Sequence, residues 1–89
     1  MMPTSTDPRY RHVLSIYSAG HLNSFAKIFE IIPKTVVARD LGMNASTLGK
    51  KLLQPEHFTL DELRRIARLC NVPNAEVIDL AVAAAFGND

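Results

Sequence analysis

One cysteine, no tryptophan and four glycines in 89 residues, with a net charge of only +1, leave few special functions open to this chain. The lone Cys70 excludes an internal disulfide framework and agrees with a reducing, cytoplasmic setting. It lies in the apolar run "RIARLC", where a buried, inert thiol is expected. No apolar stretch approaches the roughly 20 residues that a membrane-crossing helix needs. The start "MMPTSTDPR" has no apolar core of a secretion signal. His12, His21 and His57 share no ligand spacing with Cys70 or with each other, so no metal site is expected. No phosphate loop, Ser/His/Asp arrangement or paired carboxylate stands in a catalytic context. Neither an enzyme nor a bound cofactor is expected.

What is present is apolar and unevenly charged. Hydrophobic residues make up 47% of the chain, which suits one folded domain rather than a disordered segment. Residues 1–8, with their Pro, Ser and Thr, read as a flexible tail, and 9–89 as a single domain. Residues 34–51 carry Lys34, Arg39, Lys50 and Lys51 against Asp40, a local +3. Residues 52–89 carry Glu56, Asp61, Glu62, Glu76, Asp79 and Asp89 against Arg64, Arg65 and Arg68, a local −3. Such a polarised domain would turn its basic segment toward phosphates and keep its acidic end away.

Punctuation along the chain predicts an all-α, compact bundle of five or six helices. "PRYRHVLSIYSAG" has helical spacing at Tyr10, Val13, Leu14 and Tyr17 and a stop at Gly20, although Val13, Ile16 and Tyr17 also suit a short strand. Asn23 or Ser24 can cap a helix burying Phe25, Ile28, Phe29 and Ile32, and Pro33 can open the next one. "KTVVARDL" should end at Gly42, and Asn44 should cap "ASTLGKKLL", with Ala45, Leu48 and Leu52 inward. "QPEHF" reads as a loop. Thr59 and Glu62 form a capping box for a helix burying Leu60, Leu63, Ile66, Ala67 and Cys70, and Asn71 should stop it. Asn74 can cap the last helix, "AEVIDLAVAAAF". The expected core includes Phe25, Ile28, Val37, Leu41, Leu48, Leu63, Ile66 and Leu80.

Two helices crossed at about 90–120° need a residue tolerant of positive φ in the turn and a small side chain at the crossing. Gly42 and Ala38 supply them, and Val37, Leu41, Met43 and Leu48 supply the apolar lock. With the later "FTLDELRRIARLCNVPNAEVIDL", this pattern resembles the DNA-binding domains of phage-repressor and Cro-type (XRE-like) helix-turn-helix regulators, over residues 23 to 82. The resemblance implies a lambda-repressor-like fold, a motif over about 34–53 and double-stranded DNA as partner, with residues 45–53 in the major groove.

The chain departs from the family pattern at several positions. The family usually has an apolar residue where Lys51 stands, so either Lys51 snorkels or Leu52 takes its core role. Lys34 replaces a common glutamine, and Ala45, Ser46 and Thr47 stand where glutamine or arginine is frequent. Lys34 and Thr35 at the start of the first motif helix, Arg39 near its end, and Asn44, Ser46, Thr47, Gly49, Lys50 and Lys51 of the second form the expected DNA-binding set. Ser46 and Thr47 can meet phosphates or base edges. Lys50 and Lys51 suit phosphates, since an ammonium lacks a planar fork. Gly49 fits either close backbone approach to DNA or tight packing on another helix. Arg64, Arg65 and Arg68 read as a solvated stripe pairing with Asp61 and Glu62. Four phosphates per subunit of a dimer predict a log–log salt slope near −7.

The alternative is a protein–protein interaction module, antitoxin-like or an adaptor, that keeps the fold without specific DNA readout. The last helix bears on assembly. Val77, Leu80, Ala81 and Ala84 lie on one side, and Ile78, Val82, Ala85 and Phe86 on another. That excess of apolar surface predicts a homodimer through this helix, unless residues 9–19 fold back over it.

Overall fold

Local capping chemistry divides the chain at nearly every expected boundary. The computed structural model describes residues 7–87, so residues 1–6 of the expected tail and residues 88 and 89 lie outside the described residues. Six helices follow in order: α1 (Arg9–Ser18), α2 (Phe25–Ile31), α3 (Lys34–Leu41), α4 (Ala45–Leu53), α5 (Leu60–Cys70) and α6 (Asn74–Phe86), with a 3-10 turn at Pro55–His57. No strand occurs among the described residues; the fold is all-α. The segment from Arg9, which also suited a strand, is helical.

Side chains set the starts. Asp7 accepts the Arg9 backbone N–H at 2.9 Å and clasps its guanidinium at 2.9 and 2.7 Å. Those Arg9 hydrogen bonds hold the Asp7 carboxyl down at about 2. Ser24, rather than Asn23, caps α2 by accepting the Lys27 N–H at 3.2 Å. Thr59 and Glu62 exchange both bonds of the capping box, each at 3.0 Å. Asn71, at φ 61, stops α5, with Val72 N–H bonding back to Ala67. One start differs from expectation. Asn74 is the first residue of α6, and Pro73, with its φ near that of a helix entry, precedes it without any side-chain cap.

The core forms where the helices converge. Ile28, Ile32, Val37, Leu48, Ile66 and Val77 are wholly shielded. Each contributes about 1.5–3 kcal/mol of apolar burial before conformational entropy is set against it. Phe25 makes edge contacts with Phe29 and with Phe58, both at 5.4 Å between centroids. Phe58, in a segment expected to be only a loop, thereby anchors the α4–α5 connection in the core. Burial pushes the Cys70 thiol up to about 12, so it is inert.

Two core expectations need correction. Leu80 is only half-buried, at the edge of the cluster. Leu60 is 70% exposed: as the first residue of α5 it precedes the turn where that helix meets the core. It stands instead beside α6, on the wall of an apolar groove. The amino-terminal helix does not cover that groove, because α1 packs on α2 and α5 rather than on α6.

Candidate nucleic-acid interface

The interface begins with the turn between α3 and α4. Gly42 takes φ 71 and ψ 32, and Met43 and Gly42 return N–H bonds to Ala38 at 2.8 Å and to Arg39 at 3.1 Å. An added β-carbon at Gly42 would meet nothing within 4 Å, so conformation, and not space, requires glycine there. Ala38 is 1% exposed, the small residue that brings the helices close. Asn44 then caps α4, its Oδ1 accepting the Ser46 N–H at 3.0 Å and the Ser46 hydroxyl at 2.9 Å.

That cap changes what Ser46 can do. Its hydroxyl proton is committed to Asn44, so towards an outside partner its oxygen can only accept. The Thr47 hydroxyl forms no hydrogen bond among the described residues and can donate to a phosphate or a base edge. Ser46, Thr47 and Lys50 are all exposed on α4, and Lys34 and Thr35 are exposed at the start of α3.

The cations of the segment divide into two classes. Arg39 is 66% exposed but lies 3.1 Å from Asp40, whose other oxygen accepts the Tyr10 hydroxyl at 2.7 Å. Lys51 turns away from the outer face. Its Nζ donates to both Glu62 oxygens at 2.8 and 3.0 Å and to the His57 carbonyl at 3.3 Å, and sits 6.0 Å from the Phe58 ring centroid. Both members of that pair are under one-fifth exposed. Lys51 therefore belongs to the α4–α5 packing, with the half-buried Leu52 beside it in the core edge. Glu62 goes to Lys51 and not to the arginine stripe, of which Arg64 alone pairs among the described residues, with Asp61 at 2.6 Å. Lys34 and Lys50 remain without an ion pair among the described residues.

Gly49 faces this outer side at half burial, and the atom nearest to its missing β-carbon is the Lys34 Nζ, at 3.1 Å. No helix backbone crowds it. Gly49→Ala should therefore stabilise the fold by about 0.5–1 kcal/mol through helix propensity, read as a raised midpoint in urea. A lowered midpoint would mean that the Lys34 stem cannot move aside.

No family model, curated protein or solved structure matches this chain. The surface is read from its own chemistry. Two features escaped sequence reasoning. Tyr10 anchors α1 to α3 through Asp40, a link 30 residues apart with no local signal. Leu53, expected neither inside nor outside, is 85% exposed and falls seven residues after Ser46, on the same stripe of α4. Among the described residues, no group of side chains could hold a metal ion, and no helix is long and apolar enough to cross a membrane.

Proposed function

We propose that the chain is a cytoplasmic, sequence-specific DNA-binding regulator of the helix-turn-helix type, with α4 as the helix that enters the major groove. The observation that carries this reading is the outer face of α4. Thr47 and Lys50 are exposed there, the Lys34 ammonium lies against Gly49 of the same helix, and neither lysine has a carboxylate partner among the described residues. A solvated helix surface serving no anion would more often interleave acidic residues with its lysines. A homodimer through α6 would set two such helices about 34 Å apart, one turn of DNA, and imply a palindromic site.

The pairing of Lys51 revises the electrostatics. With Lys34, Lys50 and the exposed Arg39 as contacts, a dimer neutralises about six phosphates, and log affinity should fall against log salt with a slope near −5 rather than −7. Fluorescence polarisation with random duplex, from about 50 to 300 mM salt, measures it. Lys50→Ala should flatten the slope by about one unit per subunit and weaken all sequences alike. Affinity indifferent to salt, or none at the lowest salt, removes the DNA reading.

One observation favours the second reading, a protein–protein interaction module. Leu53, Leu60, Val82 and Phe86 are large apolar side chains between 51% and 85% exposed. If duplex binding fails, that surface becomes the functional one.

A further inference from the structure

Gly49 costs the helix stability and relieves no crowding from a neighbouring helix, so its reason lies in what rests on it. The Lys34 chain leaves the first turn of α3, crosses the gap to α4 and brings Nζ, Cε and Cδ to 3.1, 3.8 and 4.0 Å of the place a β-carbon would fill. Any other residue at 49 would push that ammonium outward or sideways. Ser46 lies one turn before Gly49 on the same side of α4, and Lys50, next in the chain, projects about 100° further round towards solvent, so the seated ammonium stands at the edge of the face that Ser46 and Lys50 form.

We propose that Gly49 is a seat for Lys34: a notch that fixes the Lys34 ammonium against α4 so that Lys34 and Lys50 act together on the phosphates of one DNA strand. The inference rests on the DNA-binding reading and deepens it. Gly49 is here a positioning residue that acts through Lys34 and makes no contact with the duplex. A long lysine that wanders in solvent loses rotamer freedom when it binds a phosphate, and one already held beside its partner loses less. The seat also explains why lysine serves at 34. Its four-carbon stem spans from α3 to the middle of α4 and delivers a point charge, which a phosphate accepts without the paired geometry of an amide.

A double-mutant cycle with random duplex at fixed low salt tests this. Gly49→Leu fills the notch with a good helix former, so the fold should be retained, as a thermal melt checks. With Lys34 present, Gly49→Leu should weaken duplex binding about tenfold; in the Lys34→Met background it should change binding less than about twofold. Equal losses in both backgrounds would mean that residue 49 itself meets the duplex, and full affinity in Gly49→Leu would mean that the seat does nothing. Either result overturns the proposal. In the absence of DNA, a nuclear Overhauser contact from the Lys34 ε-protons to the Gly49 α-protons should be present in the parent chain. Its absence refutes the seat whatever binds, whereas its presence without any duplex affinity refutes the DNA reading and leaves the seat without its function.

Discussion

Lys51→Met should lower the unfolding free energy by about 2 kcal/mol while leaving the salt slope of duplex binding unchanged. The two halves of this expectation have one cause. The ammonium lies on both oxygens of Glu62, at 2.8 and 3.0 Å, with each side chain under one-fifth exposed. Methionine keeps the stem that packs near Phe58 but removes the charge, leaving a carboxylate desolvated with Thr59 as its hydrogen-bond partner among the described residues. An uncompensated group of this kind costs about 1–3 kcal/mol, and a fully buried one more. Because Glu62 already cancels the Lys51 charge, few counterions are released on its behalf, and the slope should not move. Urea unfolding and the salt titration read the two halves separately. A stable Lys51→Met chain with a flattened slope would return Lys51 to the outer face.

The same pair gives the fold an acid limit. Burial pushes the Glu62 carboxyl up, but the Lys51 hydrogen bonds and the Thr59 amide outweigh it, so the folded carboxyl is held below its usual range. A carboxyl lowered on folding contributes stability that is present above its unfolded value and is lost as pH falls through the folded one. Lys51→Met removes the largest lowering influence and leaves burial to raise the carboxyl, so the stability gap between this chain and the parent should be full near neutral pH and narrow as pH falls and Glu62 takes up a proton. Glu62→Gln in both chains should abolish that narrowing.

Sequence legibility followed the range of the interactions. Gly42, Asn44, the Thr59–Glu62 box and Asn71 set helix ends through bonds spanning a few residues, and each falls where it was expected. The periodicity of Val37, Leu41 and Leu48 likewise identified the inward faces. What failed depended on partners far along the chain. Lys51 could not be assigned without knowing that Glu62, 11 residues on, would face it. Leu60 fits the apolar period of α5, yet a first-turn residue can lie beyond the reach of the core that the period detects. Phe58 does lie in a connection, as read, but its burial was missed because its ring partner, Phe25, lies on α2. For the site, residue type alone grouped nine positions. The geometry separates those turned to solvent, such as Thr47 and Lys50, from those spent internally, such as Lys51 and the Ser46 proton.

Phe86→Glu should leave the folded monomer as stable as the parent and weaken self-association more than a hundredfold. In one chain the Phe86 ring is 69% exposed and Val82 is 51% exposed, so neither supports the monomer's core strongly. Between α6 and the start of α5 runs an apolar groove of about 160 Å³, floored by Phe58, Leu63 and Ala81 and walled by Leu60 and Val82. Phe86 stands at its edge. In the proposed homodimer, a two-fold axis beside α6 would let each Phe86 enter the groove of the other copy, so one residue change would act twice. Burying an aromatic ring contributes about 1.5–3 kcal/mol, and placing a carboxylate there reverses its sign, so two such sites exceed the 2.7 kcal/mol or so of a hundredfold change. Duplex affinity should fall by a comparable factor, because each monomer then binds a half-site alone with half the phosphate contacts. The salt slope should halve, to about −2.5, a change that simple loss of fold would not produce. Sedimentation at micromolar concentration, with a thermal melt of the same sample, provides the check. A parent chain that stays monomeric while binding duplex with the full slope would assign the groove to a different protein partner.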